Sequence, residues 1–393
     1  GWLYRQADVV TGGLQTELDI YRGLGVPERR LALCGLGVPP LSQTALTDTR
    51  ARYSIEGPIV LFIGAKRSYK GADLLASAAQ LLQTAHPQAT VVFIGPGQLD
   101  PRYRNSEAVI DVGVVDDLNT GFKENINPES EFHEGSINDT DLLMRAVTGA
   151  DRVIHLAAHG WVFRSVQRPL ESDTANTHGT LAVLEATRLA EVPRFVCASS
   201  SSVYGGAAVT PTPEDTPLHP RSPYAVTKLV GEQYARVYAE LFGVETVALR
   251  FFNVFGPRQR PDSQYAAVIP LFIHALRNGE RPTVHGDGGQ SRDFTYVDDV
   301  LRAIVAATEA PAEVCSGQVY NIACSGQHTL LDLLRVLGEV LGVEPDPEFE
   351  DPRPGDIRHS CALVERAARD LGWQSEMPFD EGIRRTVEWF SRR

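Results

Sequence analysis

The sequence predicts an α/β fold built on a doubly wound parallel sheet. Apolar runs of strand length alternate with amphipathic segments of helix length along most of the 393 residues, which is typical of parallel strands joined by helices. The apolar runs are continuous, as expected for strands covered on both faces. We therefore expect an N-terminal β-α-β segment, a central parallel sheet and a smaller C-terminal lobe.

The first predicted elements precede residue 117. Two apolar runs, 58–64 and 89–95, are predicted strands, and 71–85 is a predicted amphipathic helix between them. A further strand is expected at 108–115. These segments form a β-α-β unit plus one strand.

The alternation resumes after residue 117. Strands are predicted near 130–134, 151–156, 194–198 and 246–251, and helices near 139–147, 175–189, 223–242 and 266–278. From about residue 280, short strands mix with helices at 329–341 and 379–391. This last part predicts a lobe over the carboxyl edge of the sheet, where ligands bind in such folds.

Charge and composition narrow the classes of partner. The 37 basic and 50 acidic residues give a net charge of −13, which argues against nucleic acid or an anionic membrane as the main partner. The five cysteines are scattered and predict a reducing cytoplasm, and no apolar run approaches the roughly 20 residues of a membrane helix. His155 is assigned to a predicted strand and His159 to the loop that follows it. They are not interpreted as a pair of metal ligands, because no acidic third ligand is spaced nearby.

One cluster of motifs carries chemistry. The segment 222–228 places Tyr224 and Lys228 four residues apart, directly after the helix-starting Pro223, and a run of four serines occupies 199–202. A lysine one helical turn from a tyrosine favours the phenolate, whose ordinary pKa near about 10 is otherwise too high for a base at neutral pH. A serine, a tyrosine and a lysine in this order predict a nicotinamide-dependent enzyme.

The cofactor half of such an enzyme is expected to open with a strand, a glycine-rich loop and a helix. Residues 1–150 contain neither the G-x-x-G-x-x-G nor the G-x-G-x-x-G spacing. Between the predicted strand 58–64 and helix 71–85, the loop from Ala65 to Lys70 presents side chains where backbone amides would approach a pyrophosphate. The sequence therefore predicts weak NAD binding.

Residues 117–393, about 70% of the chain, resemble the extended short-chain dehydrogenase/reductase family, and within it the nucleotide-sugar epimerases of the UDP-glucose 4-epimerase type. The motifs that carry the resemblance occur in order: Val153-Ile-His-Leu-Ala-Ala158, Asn176-Thr-His-Gly-Thr180, Ser200-Ser-Ser-Val-Tyr-Gly205, Tyr224-x-x-x-Lys228, Arg250-Phe-Phe-Asn-Val-Phe-Gly-Pro-Arg258, Arg292-Asp-Phe-Thr-Tyr-Val-Asp-Asp299 and Arg353-Pro-Gly-Asp356. The resemblance implies a Rossmann-like NAD-binding core, transient oxidation of a UDP-sugar at C4, and a homodimer.

The resemblance also implies roles for individual residues. The implied catalytic residues are Ser200, Tyr224 and Lys228. The implied cofactor residues are Asp116, Asp117, Ser136, Ile137, Leu156, Ala157, Ala158, Asn176, Tyr224, Lys228 and Phe252. The implied substrate residues are Ser200, Asn253, Arg292, Arg353 and Asp356.

Two departures from relatives refine these expectations. Related dehydratases carry an Asp-Glu pair where this chain has Ser201 and Ser202, so epimerisation fits better than dehydration. Asp116 favours NAD over NADP because a carboxylate repels the 2′-phosphate. Ser136 stands where the family usually has an aspartate for the adenine amino group, which weakens that contact.

Residues 1–116 resemble the nucleotide-binding half of a GT-B glycosyltransferase. The matching segments are Ala7-Asp-Val-Val10, Gly35-Leu-Gly-Val38, Phe62-Ile-Gly-Ala-Lys-Arg-Ser-Tyr-Lys-Gly71 and Val91-Val-Phe-Ile-Gly95. Lys70 corresponds to a lysine that binds the donor diphosphate in that family. Ala65 stands after Gly64, where the family usually has an arginine. We thus expect a transferase-like fragment (1–116), an NAD-binding core (117–280) and a mainly substrate-binding lobe (281–393). Three functions stay open: a 4-epimerase, an inactive hybrid that binds UDP-sugar, and a glycosyltransferase.

Overall fold

The computed structural model describes residues 112–127, 130–206, 209–259, 267–352 and 358–392, together with the backbone of four short strands before residue 112. The chain divides into two compact units. One comprises Gly1–Val115, Phe122–Glu134 and Gly149–Asp151, and the other Asp116–Gly121, Gly135–Thr148 and Arg152–Arg393.

The strands and helices follow the predicted alternation. In chain order the strands are β1 (Val10–Gly12), β2 (Leu31–Leu33), β3 (Ile59–Ile63), β4 (Thr90–Ile94), β5 (Gly113–Asp116), β6 (Glu131–Glu134), β7 (Arg152–His155), β8 (Arg194–Ser200), β9 (Glu245–Phe251), β10 (Val254–Phe255), β11 (Thr283–His285), β12 (Ser291–Arg292), β13 (Thr295–Tyr296), β14 (Gln318–Ile322), β15 (His328–Thr329) and β16 (Glu348–Glu350). The α-helices are α1 (Thr140–Val147), α2 (Val162–Gln167), α3 (Pro169–Asp173), α4 (Gly179–Leu189), α5 (Pro223–Phe242), α6 (Val268–Arg277), α7 (Val297–Glu309), α8 (Ala312–Cys315), α9 (Leu330–Leu341), α10 (Glu365–Leu371) and α11 (Phe379–Ser391).

The N-terminal unit contains paired strands. β1 pairs with β2 and β3 with β4, both in parallel, and β5 pairs with β6. The predicted strands 58–64 and 89–95 are confirmed as β3 and β4. The predicted helix 71–85 and the first half of the predicted strand 108–115 lie outside the described residues, and the second half of that strand is confirmed by β5.

The centre of the second unit is a parallel sheet with the strand order β14-β9-β8-β7. One face of β8 and β9 packs against α7, where Val196, Val247 and Leu249 join a buried apolar cluster. The other face meets α5, to which the Thr246 hydroxyl donates a hydrogen bond at the Ala235 carbonyl, 2.7 Å away. Helices therefore cover both faces, and the predicted α/β fold with a parallel sheet is confirmed.

Helix α5 has the boundaries that the sequence predicts, 223–242. It begins at Pro223, with the Ser222 side chain accepting a hydrogen bond from the Ala225 amide. It ends before Gly243, whose φ of 71° is readily adopted only by glycine. These caps fix the register of the helix that carries Tyr224 and Lys228.

The C-terminal lobe has its own apolar cluster. Helices α6, α9 and α11 bury side chains around Phe255, Phe294 and Tyr296. The helices predicted at 329–341 and 379–391 are confirmed as α9 and α11. Within the part of the chain that the structure describes, no helix is long and apolar enough to cross a membrane.

Candidate active site

The predicted catalytic residues meet at the carboxyl end of β8. Ser200 ends this strand and caps a 3-10 helix, Ser201–Tyr204, by accepting a hydrogen bond from the Ser202 amide at 3.2 Å. The Ser200 side chain also hydrogen-bonds the phenol of Tyr224, which lies in the first turn of α5. One turn later, the Lys228 ammonium donates to the Ala198 carbonyl at 2.9 Å and lies 5.9 Å from the centroid of the Tyr224 ring.

Burial dominates the electrostatics of this cluster. It raises the pKa of Tyr224, and the hydrogen bond from Ser200 opposes that shift. It also lowers the pKa of Lys228 to about 8. The raised pKa of Tyr224 is opposite in direction to the effect that the sequence argument ascribed to Lys228, because burial is the largest cause of the shift.

Ser165 anchors the start of α5 and was missed in the sequence. Its hydroxyl accepts a hydrogen bond from the Tyr224 amide at 3.0 Å and donates to the Val162 carbonyl at 2.5 Å. The first amides of a helix have no partner within the helix, so each needs an acceptor from elsewhere. Ser165 and Tyr224 are 59 residues apart, so their spacing in the sequence gave no signal.

Asn176 holds the loop after β7 against α5. It lies in a single π-helical turn, Thr174–His178, and is 2% exposed. Its side chain accepts from the His159 amide at 2.7 Å and donates to the His159 carbonyl at 3.2 Å and the Thr227 hydroxyl at 3.0 Å. Asn176 was predicted to line the cofactor, and these protein contacts give its side chain a role in fixing the loop.

Three further predicted cofactor residues follow β7. Leu156 is 49% exposed although it is apolar, and Ala157 and Ala158 are half-buried. Beside them the buried Nδ1 of His159 has no hydrogen-bond partner within the described residues. An exposed apolar side chain, two small residues and an unpartnered polar atom fit a bound dinucleotide at this edge.

The predicted adenosine side of the cofactor site is formed by two turns. Asp116 ends β5 and accepts a hydrogen bond from the Leu118 amide at 2.7 Å, while the adjacent Asp117 accepts from the Asn119 amide at 3.0 Å. A side chain at Gly121 would come within 3.4 Å of the Asp116 carboxylate. The Asp116 carboxylate is partly buried at a strand end, which fits the ribose role that the resemblance implies.

Ser136 and Ile137 lie in the turn before α1. The Ser136 hydroxyl accepts from the Asn138 amide at 3.2 Å. Ile137 packs so closely on Gly179 that a Cβ there would lie 2.5 Å from its Cδ1 atom. A side chain at Gly179 would therefore displace the end of the Ile137 side chain. Phe252, predicted beside the nicotinamide, is 2% exposed and packs with Tyr204 in a small buried cluster.

The predicted substrate residues Asn253 and Arg292 are both close to the backbone of the buried Asp293. The Asn253 amide donates to the Asp293 carbonyl at 3.2 Å, and Arg292 immediately precedes Asp293. The Asp293 carboxylate accepts from the Cys324 amide at 2.9 Å and the Ala362 amide at 3.0 Å, while burial raises its pKa to about 6. The other two predicted substrate residues, Arg353 and Asp356, lie outside the described residues.

Within the described residues, no group of three His, Cys, Asp or Glu side chains is placed to hold a metal ion. His155 is buried, its Nε2 lies 2.9 Å from the Thr180 hydroxyl, and burial lowers its pKa to about 3. It is therefore a neutral histidine in a hydrogen bond within the fold.

A model of the NAD dependent epimerase/dehydratase family matches residues 101–323. The chain belongs to this family. It is 37% identical over 308 residues to UDP-glucose 4-epimerase of Mycolicibacterium smegmatis, covering 77% of this chain and 96% of that protein. NAD is accordingly the cofactor, and the fold is of the Rossmann type.

Solved structures of epimerases resemble this protein over nearly their whole length. The UDP-glucose 4-epimerase of Thermotoga maritima, solved with UDP-glucose, has a TM-score of 0.68 and 31% identity, covering 85% of this chain and 98% of that one. The Thermus thermophilus UDP-glucose 4-epimerase, solved with NAD, has a TM-score of 0.64 and 28% identity. The match covers 85% of this chain and 98% of that one.

The match to this family extends ahead of residue 117, where the resemblance found in the sequence begins. The family match starts at residue 101. Neither comparison supports the glycosyltransferase resemblance of residues 1–116. Lys70, on which it partly rests, and Ala65, where the chain departs from that family, lie outside the described residues.

Proposed function

We propose that this protein is an NAD-dependent nucleotide-sugar 4-epimerase that inverts a UDP-sugar through transient oxidation at C4. The observation that carries the proposal is the meeting of Ser200, Tyr224 and Lys228 at the carboxyl end of β8, in a member of an NAD-dependent family. Bound NAD would supply the acceptor for the hydrogen that leaves C4. The residues of this chain would transfer the proton and bind the substrate.

Tyr224 is proposed as the base that takes the proton from the C4 hydroxyl and later returns it. Burial alone keeps its phenol protonated, so the phenolate requires added positive charge close to the ring. Lys228 supplies one such charge, and the oxidised nicotinamide supplies the other. Ser200, which already hydrogen-bonds the phenol, would hold the sugar hydroxyl in line with it.

Epimerisation is favoured over dehydration by the residues after Ser200. Dehydration requires an acid and a base to remove water from the sugar, and Ser201 and Ser202 carry hydroxyls in these positions. The Ser202 hydroxyl is buried and has no hydrogen-bond partner within the described residues. A neutral hydroxyl is far too weak a base to remove a proton next to a ketone.

The substrate side is proposed to bind the diphosphate and the sugar through Asn253, Arg292, Arg353 and Asp356. An arginine is suited to this task because its planar fork can contact two phosphate oxygens. Both the UDP-glucose/UDP-galactose pair and the UDP-N-acetylhexosamine pair are proposed substrates. A homodimer is proposed as well, because Leu189, Leu241 and Phe242 are exposed apolar side chains at the ends of α4 and α5. A cytoplasmic location is proposed from the scattered cysteines.

The second candidate function is a hybrid that binds UDP-sugar without turnover. It is favoured by the lack of a glycine-rich spacing in residues 1–150 and by Ser136. One experiment separates the two: purified protein is incubated with UDP-glucose, with and without added NAD, and the sugar products are resolved by chromatography. Conversion to UDP-galactose supports the epimerase. UDP-sugar binding without conversion at saturating NAD supports the hybrid, and transfer of the sugar to an acceptor would support a glycosyltransferase.

A further inference from the structure

A buried charge network lies directly behind Ser200. The neighbouring Ser199 donates its hydroxyl to Glu232 Oε1 at 2.5 Å. The Glu232 carboxylate accepts two parallel hydrogen bonds from Arg250, both of 2.8 Å. Glu232 is 3% exposed and Arg250 is 4% exposed, so this ion pair is almost completely removed from water.

The network extends from Arg250 into the loops around the site. Its Nη1 donates to the Tyr204 hydroxyl at 2.7 Å and to the Glu214 carbonyl at 3.0 Å. Tyr204 in turn donates to Asn321 Oδ1 at 2.7 Å. One connected set of hydrogen bonds therefore joins the end of β8, the middle of α5, the end of β9, the 3-10 helix and β14.

A buried ion pair adds little to stability relative to well-packed apolar side chains, because desolvation offsets its attraction. The amino ends of the same two strands carry another ion pair, between the buried Arg194 and the partly exposed Glu245. Arg194 donates to Glu245 at 2.9 Å, and these residues are direct register partners of β8 and β9. Ser199 and Arg250 are register partners at the opposite, carboxyl end, next to Ser200.

We propose that Ser199, Glu232 and Arg250 are positioning residues that hold Ser200 at the phenol of Tyr224. Ser199 is covalently adjacent to Ser200, and Glu232 lies one turn after Lys228 on α5, so their hydrogen bond fixes the strand end relative to the helix. The 4-epimerase function proposed above is the basis of this inference. None of the three residues is required to touch the sugar or the cofactor.

The first test removes only one hydrogen bond. Ser199→Ala is expected to lower kcat about 10-fold with KM for the UDP-sugar within about 2-fold, because small displacements of reacting groups are costly in rate while binding contacts stay intact. The matched control is Thr246→Val, which removes the buried hydrogen bond between the start of β9 and the Ala235 carbonyl, three residues after Glu232 on α5. The kcat of Thr246→Val is expected to equal that of wild type. An equal loss of kcat in both variants, or none in Ser199→Ala, would overturn the proposal.

A second measurement does not depend on turnover. Hydrogen exchange followed by mass spectrometry is expected to show about 10-fold faster exchange in residues 199–205 of Ser199→Ala, and no change there in Thr246→Val. If the wild-type protein shows no epimerase activity, the proposed function fails while this exchange result still decides the positioning role. Unchanged exchange in Ser199→Ala contradicts the positioning role, whether or not the enzyme is active.

Discussion

Replacing Lys228 with methionine is expected to make the protein's stability less sensitive to pH in the neutral to alkaline range. Lys228 is buried, and burial lowers its pKa from 10.5 to about 8. The unfolded chain therefore binds a proton in a range of pH where the folded chain has already lost it. In wild type, the contribution of Lys228 to the free energy of unfolding falls as the pH drops from about 10.5 to about 8, and it is constant below that pH.

The size of the effect follows from the shift. Each pKa unit corresponds to about 1.4 kcal/mol, so the full shift is worth about 3 kcal/mol, of which about 2.5 kcal/mol develops between pH 10 and pH 7. Lys228→Met also removes the hydrogen bond to the Ala198 carbonyl, a cost of about 1 kcal/mol that does not vary with pH. The free energy of unfolding of the variant, minus that of wild type, should thus rise by about 2.5 kcal/mol from pH 10 to pH 7.

Urea denaturation of both proteins at pH 7, 8, 9 and 10 measures this difference. The pKa itself can be read by NMR of protein labelled with ¹³C-lysine, because the chain has four lysines and Lys228→Met identifies one signal. The reasoning is refuted if the stability difference is the same at every pH, or if the Lys228 signal titrates near its ordinary value.

Three more outcomes are expected. Tyr224→Phe should abolish most of the epimerase rate while leaving UDP binding intact, as measured by product chromatography and calorimetry, and retained activity would rule out Tyr224 as the base. Arg292→Ala should weaken UDP binding by about 1.5–3 kcal/mol, the scale of a hydrogen bond to a charged group, and an unchanged calorimetric affinity would make Arg292 a surface charge only. The wild-type chain should purify with little NAD, and replacing residues 55–115 by an epimerase strand, glycine loop, helix and strand should restore tight NAD binding and turnover together. Stoichiometric NAD in the unmodified protein, measured by absorbance and mass after denaturation, would contradict that last expectation.

The sequence predicted most where local chemistry decides the structure. The boundaries of α5 follow from Pro223 at its start and Gly243 at its end, both read directly from residue types. The two-residue strands of the C-terminal lobe, such as β12 and β15, were not predicted individually because such short segments show no periodicity.

The sequence identified the residues of the candidate catalytic cluster but not the hydrogen bonds that surround it. Tyr224 and Lys228 were found because they lie one helical turn apart, whereas Ser199 and Glu232 are 33 residues apart and meet only through the fold. The raised pKa of Tyr224 was not predicted for the same reason. Spacing reveals the neighbouring lysine, but the burial that outweighs it depends on tertiary packing.

Proton NMR of a UDP-sugar incubated with this protein and NAD in D₂O tests the central claim most directly. A 4-epimerase takes the C4 hydrogen from the sugar and returns it to the same carbon without passing it to water. We therefore expect the C4 epimer to appear with its C4 hydrogen retained, and we expect most of this product to be lost with Tyr224→Phe. An unchanged sugar at saturating NAD, deuterium at C4, or a 4-keto-6-deoxy product would contradict the account.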